Sequence, residues 1–579
     1  MYGHIRPTPF WPLLRRPILR RADSHPRRSV PVVLLGMALL AAVASGCMEP
    51  LPDRPGPADA LLITGARIAD GTGAPLRLAD VRVVDGRIEA VGGAGELDPR
   101  EGEWVVDGRG RVLAPGFIDT HSHHDRGLAA DPSALEAVSQ GITTIVAGQD
   151  GGSPLPLGDF FSELEGNPVA LNVAAYAGHN AIRREVMGED YHRPATGDEM
   201  EAMRLLLARE MAAGALGLST GLEYDPGIYS ETKEVLLLAR EAARHGGRYI
   251  SHMRSEDRHF WEALEEFIAI GREAELPVQI SHMKLAMRSL WGRADEALAR
   301  LDEARAEGIQ VTADVYPYEY WQSSMTVLLP ERDFTDRAAF QFALDELVPP
   351  DGFLVSAFGP DPSYVGLRLD SIAHLRDTDP VTAYMELVAE AEAWEGEGRA
   401  EGMIGTSMAT EDIDALLRWP HTNISSDGGL RDRHPRGAGS YPRVLGRYVR
   451  ERGVLDLAEA IHKMTGLAAA NVGILDRGLI RPGMAADLVL FDPEAVLDRA
   501  TPEDPSALSV GIEAVWVNGE LYGKGRPPRE HDRAGCSGAG KPSRPDDANV
   551  WHTSRQMSRH GSGIWARRLR PDPPGHLRG

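Results

Sequence analysis

The chain has 579 residues, of which 42% are hydrophobic and 25% are charged. Its 85 acidic and 62 basic side chains give a net charge of −23, and because both ends are basic the long middle section is strongly acidic. The apolar content excludes wholesale disorder, and the acidic middle argues against nucleic-acid binding because it repels phosphates. Two cysteines, Cys47 and Cys536, exclude a disulfide framework and a cysteine-rich zinc module.

The first 47 residues have the pattern of an export signal. Arginines precede a short apolar run at 30–43, and small residues at 44–46 then lead to Cys47. Small residues ending at a cysteine resemble a bacterial lipobox, which predicts cleavage before Cys47 and acylation of its thiol. We therefore expect an exported lipoprotein of the periplasm or cell envelope. An ordinary signal peptide is the alternative, and the arginine pair at 27–28 also weakly fits a twin-arginine signal.

Two further segments lie outside the predicted folded part. Residues 48–59 are rich in proline, which predicts an extended tether between the anchor and the first domain. Residues 524–579 are rich in Pro, Gly, Arg and Ser without a hydrophobic period, which predicts a disordered basic tail. Cys536 and His552 in this tail have no partners at a metal-ligand spacing.

Strand patterns occur at both ends of the predicted folded part. Between 60 and 113, short β-branched runs alternate with Asp-Gly and Gly-Gly turns, which is typical of antiparallel strands. Similar runs return between 476 and 523. Two strand-rich segments around a long middle predict one small β-sandwich assembled from both ends.

The middle section, 114–475, alternates apolar strand runs with helical patterns. An apolar run at 143–148 is a typical strand, and the segment at 199–213 is a typical helix. Strands alternating with helices indicate a parallel sheet, and about eight such units indicate a closed (β/α)8 barrel of the TIM type. The expected fold class is therefore α/β. Residues 319–400 fit this repeat poorly and predict an inserted lid.

Polar residues follow several of the predicted barrel strands. His121 and His123 lie two positions apart at one strand end, where their side chains point to the same face. His252, His282 and Asp427 each end or follow another strand run. Because the carboxyl ends of barrel strands converge at one rim, these residues predict a metal site there.

The ordered motifs resemble those of the N-acyl-D-amino-acid deacylases (D-aminoacylases) of the amidohydrolase superfamily. The resemblance covers about 60–523 and opens at PGFIDTHSHHD (115–125), where the family has His-x-His followed shortly by Asp. The other matching segments, in family order, are NVAAYAGHNAIRREVMG (172–188), GALGLSTGLEYDPG (214–227), SHMRSE (251–256), SHMK (281–284), DVYPY (314–318), SSDG (425–428), HPRGAGSYPRVLGRYVRE (434–451) and DRGLIRPGMAADLVLFD (476–492).

One position departs from the family pattern. The family commonly has Gly-Asn-Cys-Gly after the second strand, with the cysteine as a metal ligand, whereas this chain has Asp150 in Gly-Gln-Asp-Gly. A carboxylated lysine, used by other branches, has one candidate between His123 and His252, Lys233, which lies in a helical run. Asp150 is therefore the best candidate for the missing ligand. A turn-forming Asp150 beside a mononuclear site is the alternative.

The resemblance implies a metal-dependent amidohydrolase that holds one or two divalent cations. The implied ligands are His121, His123, Asp150, His252, His282 and Asp427. Zn²⁺ is the first expectation, and a carboxylate ligand leaves Mn²⁺, Fe²⁺ and Co²⁺ open. A bound cation would lower the pKa of water toward ~7, and Asp427 would take the proton of that water and then give it to the leaving nitrogen. The implied substrate is an N-acyl-D-amino acid.

Four residues are implied to hold the substrate carboxylate. Lys284 is one of only five lysines and lies two residues after His282, which suggests a point charge at the barrel mouth. The resemblance adds Arg436, Tyr224 and Tyr318. The expected partner is a small molecule, with membrane contact only through a lipid at Cys47, and the oligomeric state is left open.

Three other functions are compatible with parts of the pattern. A dipeptidase acting on D-residues would use the same chemistry. A cyclic-amide hydrolase of the hydantoinase or dihydroorotase type would usually need the bridging lysine. An exported binding protein on an inactive barrel would predict that a ligand had been lost, yet every histidine position is filled.

Overall fold

The structure, a computed structural model, describes residues 60–396 and 400–522. The predicted signal segment (1–47), tether (48–59) and tail (524–579) lie outside the described residues and stay predictions. Within the described ranges, no helix combines the length and the apolar character that a membrane span requires.

The described chain contains twenty strands. In chain order they are β1 Ala60–Ile68, β2 Arg77–Val84, β3 Arg87–Gly93, β4 Trp104–Asp107, β5 Val112–Pro115, β6 Phe117–Asp119, β7 Ile142–Ala147, β8 Asn172–Ala175, β9 Ala177–Gly178, β10 Gly217–Gly221, β11 Arg248–His252, β12 Val278–Ile280, β13 Val311–Val315, β14 Tyr320–Ser323, β15 Phe353–Phe358, β16 Glu401–Thr406, β17 Thr422–Ile424, β18 Leu488–Phe491, β19 Ile512–Val517 and β20 Glu520–Tyr522.

The same ranges contain fourteen α-helices. They are α1 Leu135–Val138, α2 Leu157–Gly166, α3 His179–Met187, α4 Gly197–Ala213, α5 Thr232–Arg244, α6 Phe260–Ala274, α7 Ala294–Ala306, α8 Arg337–Phe342, α9 Leu369–Leu375, α10 Pro380–Glu392, α11 Thr410–Arg418, α12 Arg436–Arg443, α13 Leu457–Met464 and α14 Gly466–Val472. Short 3₁₀ turns span His124–Gly127, Gly227–Tyr229, Arg288–Leu290, Met325–Leu328 and Pro362–Tyr364, and π-helical segments span Ala343–Leu347 and Val444–Glu451.

The middle of the chain forms a ring of parallel strands. One sheet runs β6-β7-β8 and another runs β9-β10-β11-β12-β13-β17, and β8 and β9 are two parts of one strand interrupted at Tyr176. The ring closes where Asp427 N–H donates to the His121 carbonyl at 2.9 Å and His123 N–H donates to the Gly428 carbonyl at 2.8 Å. Helices connect successive strands around the outside. The predicted α/β class and (β/α)8 barrel are confirmed.

Barrel strands are buried along most of their length because both of their faces are covered. All six residues of β7 are buried. The connecting helices start and stop at recognisable caps. α4 begins at a capping box in which Thr196 and Glu199 satisfy each other's backbone N–H groups, and it ends at Gly214 in the left-handed conformation.

The two ends of the folded part share one eight-stranded sheet. Its order is β20-β19-β18-β5-β1-β2-β3, with β4 also paired to β1. The sheet folds over a core of its own, in which the rings of Trp104 and Trp516 lie 6.3 Å apart. The sandwich built from both ends is therefore confirmed as part of the fold.

The predicted insertion forms a separate layer. Strands β14, β15 and β16 make an antiparallel sheet in the order β14-β16-β15, and helices α8, α9 and α10 pack with it. This sheet continues to Thr406, beyond the predicted end of the insertion at 400. Its role as a lid stays a prediction.

Candidate active site

The six predicted metal-binding residues lie at the carboxyl ends of barrel strands. They follow or end β6, β7, β11, β12 and β17, so the chain brings them to one rim of the barrel. These residues are His121, His123, Asp150, His252, His282 and Asp427.

The backbone turns sharply at three of these positions. Asp150, His282 and Asp427 have φ values of 54°, 33° and 51°, which lie in the left-handed region that side chains larger than glycine seldom adopt. Around Asp150, Gly148 allows the turn, because a Cβ there would lie 2.1 Å from the carbonyl oxygen of Tyr176. Strained backbone of this kind is concentrated at functional sites.

Asp150 lies among three imidazole rings. Its Oδ2 is 3.1 Å from Nε2 of His123. Its Oδ1 is 3.2 Å from Nε2 of His282 and 3.4 Å from Nε2 of His121. The carboxylate therefore faces the ring nitrogens that would bind a cation.

Asp427 approaches the same nitrogens from another strand. Its Oδ1 is 3.3 Å from Nε2 of His123 and 3.5 Å from Nε2 of His121, and its Oδ2 lies 2.6 Å from Nη1 of Arg436 in an ion pair. Potential ligand atoms of His121, Asp150, His282 and Asp427 all lie within 4.8 Å of one another.

His252 completes the cluster through His282. Nδ1 of His252 is 3.1 Å from Nε2 of His282, and Nε2 of His252 is 2.8 Å from a carboxylate oxygen of Glu223. His252, Glu256 and His282 form a second group whose potential ligand atoms lie within 4.8 Å.

Both central carboxylates are held in the ionised form. Burial by itself would raise the pKa of Asp150, but the charges of His121 and His282 lower it well below its usual range. Burial also opposes ionisation of Asp427, and the charges of Arg436 and His282 outweigh it and lower the pKa. Two ionised oxygen donors are therefore present at neutral pH.

The electrostatic field at the cluster is negative. Burial and Lys284 would lower the pKa of His282, but the carboxylates of Glu256, Asp427 and Asp150 raise it to about 10. A field that holds a proton on a buried imidazole this strongly also attracts a divalent cation.

The donor set fits such a cation. Both ring nitrogens of His121 are buried without a hydrogen-bond partner in the described chain, although buried polar atoms are normally paired. Imidazole nitrogens with carboxylate oxygens are ligands that Zn²⁺ and its neighbours Mn²⁺, Fe²⁺ and Co²⁺ accept. Lys233, the one candidate for a bridging lysine, is 63% exposed and pairs with Glu231.

A layer of carboxylates behind the cluster holds its loops. Asp314 accepts from the His282 backbone N–H at 2.8 Å and from Nε2 of Gln279 at 2.8 Å. Asp119 accepts from the backbone N–H and the hydroxyl of Ser426 at 2.8 and 2.5 Å. Such support orients the side chains around a metal site.

Two carboxylates in the site carry no role in the sequence-based prediction. Glu223 contacts His252, while Glu256 lies 3.0 Å from Nδ1 of His282 and 2.7 Å from Nζ of Lys284. Both stand inside matching motifs, GLEYDPG and SHMRSE. The motifs were a signal for Glu223 and Glu256, but the contacts of these two carboxylates depend on residues from other strands.

A cavity opens beside the cluster. Of the four predicted substrate-binding residues, Lys284, Arg436 and Tyr224 line it. The lining is completed by Glu223, His252, Glu256, Asp257, His282, Ala286, Trp321, Gln322, Ser323, Val327, Leu328, Leu347 and Asp427.

The structure places Tyr318, the fourth predicted substrate-binding residue, away from the cavity. Tyr318 is fully buried outside the cavity lining, its hydroxyl lies 3.5 Å from the carbonyl oxygen of Pro435, and its ring packs against His434. Tyr316, two residues earlier, lies under the Arg436 guanidinium, 5.0 Å from ring centre to Cζ. Side chains two apart on a strand share a face, but the chain has already left β13 at this point.

A parallel barrel with histidine and carboxylate donors at one rim defines a class of hydrolases that act with a divalent cation. The family model described as the amidohydrolase family matches residues 104–343 and 369–522. The chain therefore belongs to the amidohydrolase family. The unmatched residues 344–368 lie within the insertion.

Three curated relatives from Alcaligenes xylosoxydans xylosoxydans are similar over most of the chain. A D-aminoacylase is 36% identical over 484 residues, which cover 79% of this chain and 93% of the relative. An N-acyl-D-glutamate deacylase is 37% identical over 492 residues, which cover 81% and 94%. An N-acyl-D-aspartate deacylase from the same organism is 37% identical, covering 86% and 98%.

Solved structures give the same result. An N-acyl-D-glutamate deacylase from Bordetella bronchiseptica, complexed with zinc and a phosphonate inhibitor, superposes with a TM-score of 0.71 at 36% identity, covering 81% of this chain and 97% of that one. A D-aminoacylase superposes with a TM-score of 0.70 at 37% identity, covering 80% and 96%.

Proposed function

We propose that this enzyme hydrolyses the acyl amide of N-acyl-D-amino acids with a bound divalent cation. The observation that carries the proposal is the convergence of ionised Asp150 and Asp427 with three imidazoles, beside a cavity that also exposes Lys284 and Arg436. Relatives of this chain are D-aminoacylases and N-acyl-D-glutamate deacylases, which supports the D-amino-acid substrate class.

One or two Zn²⁺ ions are the cofactor we propose. His121, His123, Asp150, His252, His282 and Asp427 would hold them, and the zinc in the Bordetella deacylase and the binuclear metal centre of a D-aminoacylase support this assignment. When bound, such a cation acidifies water and polarises a carbonyl oxygen.

Asp427 is the proposed proton carrier. Its lowered pKa keeps it ionised, so it can accept a proton from water as the water oxygen bonds to the amide carbonyl carbon. Asp427 then gives that proton to the amide nitrogen as the carbon–nitrogen bond breaks, and an acid and an amine leave. The contact with Arg436 fixes the carboxylate in place before and after this transfer.

Lys284, Arg436 and Tyr224 are proposed to hold the substrate carboxylate. Lys284 is 3% exposed and pairs with both oxygens of Glu256, so its ammonium stays beside the cavity. Arg436 presents a planar fork suited to a carboxylate. The ring of Tyr224 packs 4.3 Å from that of His252.

Replacing Lys284 with Met is expected to raise KM for an N-acyl-D-amino acid by roughly 10- to 100-fold, the loss expected for one charge-assisted hydrogen bond. Steady-state kinetics on the zinc-loaded enzyme measures this change. The matched control is Lys233→Met, because Lys233 is 63% exposed outside the cavity lining. An unchanged KM in Lys284→Met would remove Lys284 from substrate binding.

The proposed function is tested by removing and restoring the metal. Protein dialysed against a chelator is expected to lose release of amino acid from N-acetyl-D-amino acids, and added Zn²⁺ is expected to restore it. The matching L-enantiomers serve as the control and should be hydrolysed much more slowly. Full activity of metal-free protein, or no activity on any D-substrate after reloading, would contradict the proposal.

Export as a lipoprotein anchored through Cys47 is a separate proposal. It rests on the arginine-rich flank, the short apolar run and the small residues before that cysteine. It would place the activity on substrates that reach the periplasm or cell envelope.

A further inference from the structure

The side chain that the substrate carries is not determined by similarity. D-aminoacylase, N-acyl-D-glutamate deacylase and N-acyl-D-aspartate deacylase are related to this chain at 36%, 37% and 37% identity. Values this close do not select among an apolar, a glutamate and an aspartate side chain. The lining of the cavity does distinguish them, because apolar and anionic side chains need different surroundings.

One wall of the cavity is apolar and comes from the insertion. Trp321 lies on β14, Val327 and Leu328 lie on the 3₁₀ turn at Met325–Leu328, and Leu347 ends a π-helical segment. These four side chains, here named the apolar wall, are 8%, 7%, 5% and 2% exposed.

The backbone beneath the apolar wall is tied down at several points. Nη2 of Arg258 donates to the carbonyl oxygen of Leu328 at 3.1 Å, and Nη1 of Arg332 donates to that of Thr326 at 2.8 Å. The hydroxyl of Tyr384 donates to the carbonyl oxygen of Met325 at 2.6 Å. Arg258 and Arg332 therefore support the backbone of the wall and do not line the cavity.

The cavity offers no uncommitted cation to a second carboxylate. Apart from histidines, the cationic side chains in its described lining are Lys284 and Arg436, which pair with Glu256 and Asp427. In the proposed function both serve the α-carboxylate of the substrate. An acidic substrate side chain would then have no cation beside it and would face the apolar wall, the neutral polar groups of Gln322 and Ser323, or further carboxylates, which is unfavourable for a charge.

We propose that the apolar wall receives the substrate side chain, so that the enzyme prefers N-acyl-D-amino acids with apolar side chains, such as D-leucine, over those of D-glutamate and D-aspartate. This inference rests on the proposed deacylase function and deepens it. Burial of a leucine side chain is favourable and burial of an unpaired carboxylate is not, so kcat/KM for N-acetyl-D-leucine is expected to exceed that for N-acetyl-D-glutamate by at least ~10-fold.

Substitution of the wall tests its role. Leu328→Arg is expected to lower kcat/KM for the D-leucine substrate and to raise it for the D-glutamate substrate. The ratio of the first value to the second should therefore fall to about one or below. Leu328→Ala, a milder change, is expected to lower kcat/KM for the D-leucine substrate several-fold more than kcat/KM for the D-glutamate substrate. Leu205→Arg on α4 is the matched control, because Leu205 is 56% exposed and lies outside the cavity lining.

The outcomes separate this inference from the proposed function. Zinc-loaded enzyme that hydrolyses N-acetyl-D-glutamate as fast as or faster than N-acetyl-D-leucine would overturn the inference and leave the deacylase function standing. That result would indicate that the acidic side chain binds in the neighbouring hollow, which is lined by Arg431 and Arg433. The inference would also be overturned if neither Leu328→Ala nor Leu328→Arg changed the ratio of kcat/KM for the D-leucine substrate to kcat/KM for the D-glutamate substrate. Absence of turnover with every substrate would overturn both proposals.

Discussion

Asp427→Asn is expected to lower kcat for an N-acyl-D-amino acid by at least ~10²-fold while the protein still folds and binds metal. An amide side chain cannot accept the proton of water or return it to the leaving nitrogen. The substitution keeps the shape of the side chain, and its backbone N–H still donates to the His121 carbonyl, which is part of the barrel closure. Turnover under saturating substrate and Zn²⁺ measures the effect.

Two measurements distinguish a loss of catalysis from a loss of folding or of metal binding. Metal content of Asp427→Asn should stay close to that of the unsubstituted enzyme, and thermal unfolding should show a folded protein of lower stability, because the buried Arg436 loses its charged partner. Asp336→Asn is the matched control, because Asp336 is exposed and caps α8, and asparagine is an equally good cap. Near-normal turnover in folded, metal-loaded Asp427→Asn would exclude Asp427 as the proton carrier.

Asp150→Ala is expected to lower the bound Zn²⁺ by about one equivalent per chain and to lower activity with it. The physical reason is position, since Asp150 lies 3.1 to 3.4 Å from the Nε2 atoms of His123, His282 and His121. Metal analysis after dialysis against dilute Zn²⁺ measures the change.

Asp150→Cys provides the conservative comparison. It introduces the residue that the family commonly has at this position, and a thiolate is also a Zn²⁺ ligand, so the lost equivalent is expected to return. A zinc content that is the same in the unsubstituted protein, Asp150→Ala and Asp150→Cys would show that Asp150 only shapes the turn between Gly148 and Gly151.

Much of the architecture could be predicted because its signals are local. The β7 run consists of β-branched residues up to Ala147, and α4 carries its own capping box, so each element is defined by neighbouring residues. The site was predictable for a related reason. Carboxyl ends of barrel strands always converge, so histidines and aspartates in those positions meet even when they stand far apart in the chain.

The contacts between individual side chains could not be predicted without the tertiary structure. Glu256 could be quoted as part of a motif, but its contacts with His282 and Lys284 depend on how β11 and β12 lie side by side. Tyr316 and Tyr318 are equivalent in the sequence pattern. Only the packing of the chain after β13 decides that Tyr316 is the one beneath Arg436.

By itself, the sequence determined the barrel, the sandwich built from both ends, and the residue types gathered at the rim, because periodicity and strand-end chemistry are encoded over a few consecutive positions. Only the tertiary structure decided that Arg436 pairs with Asp427 and that Trp321, Val327 and Leu328 line the cavity. The insertion that supplies this wall has no barrel repeat to guide prediction. Its contacts with the rim join residues separated by a hundred positions, and packing alone brings them together.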